Sequence, residues 1–104
     1  MEWMTVATVG DIPPGGSCVV KFAGEEVAIF NLEGNFLACS ERCPHAGGPL
    51  HQGFIRGTRV SCPWHGWAFE LCPTEPAPRD GIVRYRVRLE GEAVQLALPE
   101  VSVV

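Results

Sequence analysis

Two short segments, each containing one cysteine and one histidine, constrain this chain more than any other feature. They are Cys43-Pro-His45 and Cys62-Pro-Trp-His65. In each segment a proline restricts the backbone and removes an amide donor, which stiffens the turn. Neighbouring glycines let the backbone come close to a bulky group or adopt a positive φ. The two segments predict loops that present two sulfur and two nitrogen atoms to one site.

Three interpretations of these loops compete. Unrelated loop or core residues are disfavoured because two matched Cys–His pairs occur. A structural zinc site accepts two cysteines and two histidines, but zinc sites usually pair like ligands, with wider gaps. In the third interpretation, the two cysteines bind one iron of a 2Fe–2S cluster and the two histidines bind the other. Mixed loops favour the cluster, since each loop then reaches both irons, and zinc remains the alternative.

Length and composition limit the remaining possibilities. The length of 104 residues predicts one domain over residues 1–104. Within it, the two Cys–His segments place the cluster-binding loops at about 41–53 and 62–67. The net charge of −4 argues against a nucleic-acid partner. No apolar run approaches the roughly 20 residues of a membrane helix, and the N-terminus does not resemble a signal peptide, so we expect a cytoplasmic protein without a membrane partner. The 5 cysteines are an odd number, which favours metal ligation over disulfides in a reducing compartment.

Short β-prone segments separated by turn residues predict an all-β fold. No segment has a convincing helical period. Residues 83–89 give the clearest strand, because apolar residues alternate with arginines that we expect on a solvated outer face. Residues 72–81 contain three prolines and predict an extended loop. The predicted strands are 4–9, 18–22, 26–32, 36–40, 54–55, 59–62, 67–71, 83–89 and 93–98.

The two segments resemble a known pair of motifs. Cys43-Pro-His45-Ala-Gly-Gly-Pro-Leu and Cys62-Pro-Trp-His65-Gly-Trp are similar to the cluster-binding boxes of Rieske proteins, most of all those of Rieske-type ferredoxins serving aromatic-ring dioxygenases. The resemblance implies a Rieske-like fold, with an antiparallel β-sandwich base and a small cluster-binding subdomain. It also implies that Cys43, His45, Cys62 and His65 bind one Rieske-type 2Fe–2S cluster, with the histidines near solvent.

The boxes depart from those of other Rieske branches. Rieske proteins of cytochrome bc complexes have a further cysteine in each box, and these form a disulfide; here Gly47 and Trp64 occupy the positions. The same relatives donate hydrogen bonds to the cluster from a serine and a tyrosine, where this chain has Trp67 and Phe69. Fewer hydrogen bonds predict a potential near the lower end of the roughly −150 to +300 mV Rieske range.

The predicted function is one-electron transfer by a soluble monomer, from a flavin reductase to a terminal oxygenase. A Rieske oxygenase also needs a mononuclear iron held by two histidines and a carboxylate. The chain has three histidines and the cluster uses two, so His51 alone cannot build that site. We therefore predict an electron-transfer component and not an enzyme. Two alternatives remain: a permanent subunit similar to the small subunit of nitrite reductase, and a zinc-stabilised interaction module.

Other candidate residues have more ordinary interpretations. We expect His51 to be an exposed loop histidine, and Cys18 and Cys39 to be small core residues. Cys72, at the start of the proline-rich loop, is the expected exposed thiol. Trp64 is expected to present apolar surface to a partner near the cluster.

Overall fold

The computed structural model describes residues 2–44, 47–64, 66–73 and 80–97. Within these ranges the chain forms strands and two short 3₁₀ turns, Val9–Asp11 and Leu50–Gln52, and no α-helix. None of the described segments is a helix long and apolar enough to cross a bilayer. The strands are β1 Trp3–Thr8, β2 Ser17–Phe22, β3 Glu25–Leu32, β4 Asn35–Ser40, β5 Phe54–Arg56, β6 Arg59–Ser61, β7 Ala68–Glu70, β8 Arg84–Tyr85, β9 Val87–Glu90 and β10 Ala93–Ala97.

The strands form three sheets in which every pairing is antiparallel. Two sheets, ordered β1-β10-β9 and β2-β3-β4-β8, make up what we call the base. The third, ordered β5-β6-β7, is the small sheet. The predicted all-β class, with an antiparallel base and a separate small subdomain, is confirmed.

Strand β3 is buried on both of its faces, which explains its unbroken apolar run. Val27 and Ile29 pack into the core between the two base sheets. Ala28 and Phe30 point to the opposite face and pack into a second core, which lies under the small sheet. A strand covered on both sides has no polar face, so it loses the period-two alternation of a half-exposed strand. The base therefore presents an apolar surface against which the small sheet packs.

The strand predicted at residues 83–89 is wrong as a single element. Arg84–Tyr85 pairs with β4 in one base sheet, whereas Val87–Glu90 pairs with β10 in the other. Alternation continues through the junction because a strand that changes sheets keeps one side towards the core between them. The alternation therefore holds only around the junction, because both ends of its apolar side are exposed, and it could not reveal the change of sheet.

The other predicted strands are present, with described ends shifted by at most one residue. One hairpin turn has a clear cause: Glu33 and Gly34 have φ of 55° and 94°, the left-handed pair that a two-residue turn requires. Of the predicted 72–81 loop, residues 74–79 lie outside the described residues, as does residue 98 at the end of the last predicted strand.

Candidate metal centre

Cys43 and Cys62 lie where the small sheet meets the base. Cys43 follows β4, and Cys62 comes directly after β6. Each residue is 1% exposed, and both belong to an apolar cluster that includes Leu50 and Phe69. The structure thus places two of the predicted ligand sulfurs in the same buried, apolar region.

The two cysteines begin turns with the same hydrogen-bond pattern. The Gly47 amide donates to the Cys43 carbonyl at 2.6 Å, and the Gly66 amide donates to the Cys62 carbonyl at 2.9 Å. In return, the Cys43 amide donates to the Gly48 carbonyl, five residues further along the chain, at 2.9 Å. The Cys62 amide likewise donates to the carbonyl of the residue five positions after it, at 2.7 Å. Gly47 and Gly66 both have a φ of 74°, which favours glycine. The two sulfurs are therefore presented by matching turns.

The two predicted histidine ligands, His45 and His65, lie outside the described residues. Their sequence positions differ within the matching turns, because His45 is two residues after Cys43 and His65 is three after Cys62. Their role as ligands stays a prediction.

Gly48 brings the first turn into contact with the second. A methyl group at this position would lie 2.8 Å from Cys62 Sγ and 3.2 Å from the Trp64 ring atoms Cγ and Cδ2. Only a residue without a side chain allows this approach. The indole of Trp64 thus packs across onto the first turn.

Glu41, at the start of the first loop, is hydrogen-bonded to residues near the end of that loop. Its side chain is 7% exposed; Oε1 accepts a 2.9 Å hydrogen bond from the His51 amide, and Oε2 is hydrogen-bonded to His51 Nδ1. Its carbonyl also accepts the Leu50 amide at 2.8 Å. His51, 28% exposed in its side chain, is therefore not the ordinary exposed histidine expected from the sequence. No local pattern links residues ten apart across a loop, so the sequence could not show this pair.

We expect Glu41→Leu to lower the stability of the folded chain by about 1–3 kcal/mol, because the partly buried His51 amide and ring nitrogen lose their acceptor. The measurement is the midpoint of thermal unfolding, monitored by tryptophan fluorescence. The control is Glu90→Leu, at an exposed strand end. Equal midpoints for both variants would show that the Glu41–His51 pair does not hold the loop.

Arg84 joins the base to the end of the small sheet. Its guanidinium is bound in a bidentate manner by Asp80, with NH2 to Oδ2 at 2.6 Å and NH1 to Oδ1 at 3.2 Å, and its Nε donates to the Glu70 carbonyl at 2.6 Å. The Arg84 side chain is only 5% exposed, so the solvated position expected for it was wrong. Next to Asp80, a methyl group on Gly81 would lie 2.8 Å from Pro44 Cβ. The ion pair therefore fixes a segment that packs against the first cysteine turn.

The remaining three cysteines are not among the predicted ligands. None of the five cysteines, all within the described residues, forms a disulfide. Cys39 is fully buried in the same apolar cluster, and burial raises the pKa of its thiol to about 12. Its position beneath the first loop agrees with the predicted packing role. Cys72 is partly buried against that cluster, less exposed than expected.

The described residues fit an iron–sulfur cluster. Thiolates are the ligands that hold such clusters, and two buried cysteines on matching turns supply them here. Gly47 has no atom within 4 Å of where a methyl group would lie, so a bulky inorganic group can approach the backbone there. The same two sulfurs would also suit zinc, so the two buried cysteines alone are compatible with either metal.

Comparison with known proteins identifies the centre. The Rieske 2Fe-2S domain matches residues 2–83, and the chain belongs to this family. A ferredoxin component of naphthalene 1,2-dioxygenase/salicylate 5-hydroxylase systems from a Ralstonia species is 32% identical over 101 residues, covering 93% of this chain and 96% of that protein.

Solved structures agree. The ferredoxin of carbazole 1,9a-dioxygenase from Nocardioides aromaticivorans IC177 superposes with a TM-score of 0.78 at 25% identity, covering 93% of this chain and 98% of that one. A chain in the complex of reduced oxygenase and oxidized ferredoxin in carbazole 1,9a-dioxygenase gives 0.76 at 26% identity, covering 91% and 92%. The cofactor is therefore a Rieske-type 2Fe–2S cluster, and the chain is an electron-transfer component and not an enzyme.

Proposed function

We propose that this chain carries single electrons from a flavin reductase to a terminal oxygenase, as a free monomer in the cytoplasm. The observation that supports this most is the similarity, over nearly the full length of both chains, to a dioxygenase ferredoxin component. A related ferredoxin is found in complex with its oxygenase, which supports an oxygenase as the acceptor. When bound, the cluster supplies a one-electron couple.

We propose Cys43, His45, Cys62 and His65 as the four ligands. The two cysteines are supported by their burial in matching turns, and the two histidines by their place in the sequence of those turns. The third histidine, His51, is hydrogen-bonded to Glu41, which supports leaving it out of the ligand set.

The surroundings of the site support a low potential. Phe69 is 3% exposed and packs with both cysteines, yet its ring has no hydroxyl to donate to a sulfur. Fewer donors leave the reduced, more negative cluster less stabilised. We expect a midpoint near about −150 mV, the lower end of the Rieske range. A midpoint well above zero would contradict this explanation.

His65→Cys is expected to lower the midpoint towards the roughly −400 mV of plant-type ferredoxins, provided that the variant assembles a 2Fe–2S cluster, because a charged thiolate replaces a neutral imidazole. Protein-film voltammetry gives the midpoint, and His51→Gln is the control in which it stays close to the original value. An unchanged midpoint in His65→Cys would remove His65 from the ligand set.

Function as a carrier is tested by an electron relay. NADH, a flavin-dependent ferredoxin reductase and cytochrome c are mixed with and without the chain. We expect cytochrome c reduction to rise in proportion to the amount of added chain, and to fall to the background rate with Cys62→Ser. A chain that contains the cluster but never accelerates the relay, whichever reductase is used, would contradict the carrier function.

A further inference from the structure

The small sheet has one face towards the core and one face outwards, and the outward face carries two rows of side chains. Ile55, Val60 and Phe69 lie in register and form the inner row, with Val60 and Phe69 buried. Because side chains alternate along a strand, the neighbours of these residues point outwards. The outward rows are Phe54, Ser61 and Ala68, and then Arg56, Arg59 and Glu70. We call these six residues the outer face.

The outer face has an apolar end beside the second cysteine turn. Phe54 is 71% exposed, and its row continues through Ser61 and Ala68, which flank that turn on either side. The turn itself exposes Trp64 by 59% and Trp67 by 52%. Exposed large apolar side chains on the outer face and on the adjoining turn are typical of a protein-binding site.

The other end of the outer face is positively charged. Arg56 and Arg59 lie opposite each other on adjacent strands. Arg59 Nε is 3.7 Å from Glu70 Oε1, whereas Arg56 is exposed and forms no ion pair with any residue that the structure describes. Two guanidinium groups and one carboxylate leave this row with a positive charge, although the chain as a whole carries −4. The local sign is therefore opposite to that of the molecule.

A shallow groove runs from the charged end to the second cysteine turn. Arg56 and Arg59 line it at one end, Phe54 lies along it, and Gly66 of the second cysteine turn lines it at the other. A partner seated in this groove would contact the turn that carries a proposed ligand. A second copy of the chain is a poor occupant, because strand β5 offers only three residues for edge pairing and both copies would be acidic.

We infer that the outer face is the docking site of a redox partner whose own surface has an apolar centre and a carboxylate-rich edge. This rests on the proposed carrier function and adds the chemistry of the partner. The net charge of −4 taken alone would instead favour a partner with a basic surface. Complementary charge at an interface acts mainly on the rate of association.

Two haem proteins of opposite charge serve as probes: cytochrome b5, which is acidic, and cytochrome c, which is basic. Reduced chain is mixed with each oxidised cytochrome in a stopped-flow instrument at low and high salt. The variants are Arg56→Glu and Phe54→Ser, and the control is Lys21→Glu, the same charge reversal at an exposed site on β2 of the base.

For Arg56→Glu we expect electron transfer to cytochrome b5 to slow by about fivefold at low salt, with transfer to cytochrome c unchanged or faster. Phe54→Ser is expected to slow transfer to both, and Lys21→Glu to change the cytochrome b5 rate by less than about twofold. Equal effects of Arg56→Glu and Lys21→Glu would overturn the docking site, since only net charge would then matter. A sedimentation measurement in which the original chain is a dimer and Phe54→Ser is a monomer would also overturn the docking site, because the face would then bind a second copy.

Iron content and the paramagnetic resonance spectrum separate this inference from the function on which it rests. Both are expected to be unchanged in Arg56→Glu, so that a slower rate reports docking and not loss of the cluster. If the original chain reduces neither cytochrome, the carrier function fails and the docking site fails with it. If it reduces both and Arg56→Glu has no effect on either rate, only the docking site is overturned.

Discussion

Gly48→Ala is expected to give a folded chain that has lost most of its cluster. The added methyl would lie 2.8 Å from Cys62 Sγ and 3.2 Å from the Trp64 ring. Cys62 is 1% exposed, and a contact this short forces the sulfur or the whole first turn to shift within a packed region. Overpacking of this kind costs about 1–3 kcal/mol, and here the strain falls on a proposed ligand.

Iron and acid-labile sulfide per chain, with the visible spectrum, measure this loss. Gly10→Ala is the matched control, because its added methyl would have no atom within 4 Å and its φ is not in the left-handed region. The control should retain its full iron content. Equal iron in the two variants would show that the contact between the turns is not needed for cluster binding.

Arg84→Met is expected to lower the free energy of unfolding by about 3 kcal/mol, the lower end of the range for breaking a buried ion pair. The methionine fills similar space but leaves the Asp80 carboxylate and the Glu70 carbonyl without their donor. The lower end applies because the Asp80 side chain is 24% exposed and keeps some contact with water. For a domain of this size, the thermal midpoint would fall by more than about 10 °C.

Arg86→Met is the control, since the arginine two positions along is exposed and its removal should change the free energy of unfolding by less than about 0.5 kcal/mol. Similar midpoints for Arg84→Met and Arg86→Met would contradict a stabilising role for the buried pair.

The same ion pair predicts a dependence on pH. Hydrogen bonds from the Arg84 side chain lower the pKa of the Asp80 carboxyl below its usual 3.8. A carboxyl with a lowered pKa in the folded state stabilises the fold above its unfolded pKa, and this stabilisation disappears as the pH falls through the folded pKa. Asp80→Asn should therefore flatten the loss of stability below about pH 4. If the thermal midpoint of Asp80→Asn fell as steeply at acid pH as that of the original chain, this explanation would be contradicted.

Much of the fold could be predicted because it is encoded locally. Alternation and turn residues such as Glu33 and Gly34 mark strands whose ends need no distant information. What failed depends on contacts between distant segments. The strand at 83–89 divides between two sheets, and Arg84 lies on the outward side of the alternation yet is buried by Asp80 and a carbonyl of the small sheet.

The candidate site divides in the same way. The two cysteines were found because each is combined with proline, histidine and glycine in a short, specific segment. The pairing of Glu41 with His51 was missed, since a loop whose course is unknown must fold back to bring them together. The contact of Gly48 with Cys62 was missed for a similar reason, because it depends on how two separate turns approach each other.

The central claim, that two cysteines and two histidines of this chain hold a 2Fe–2S cluster, is tested most directly by electron paramagnetic resonance of the anaerobically purified protein before and after dithionite, with iron, sulfide and zinc analysis. We expect a silent oxidised sample that gains a rhombic signal on reduction, with couplings to two nitrogen nuclei in the pulsed experiment and equal amounts of iron and sulfide. A sample that contains zinc and shows no signal, or a signal without nitrogen coupling, would contradict the proposed ligand set.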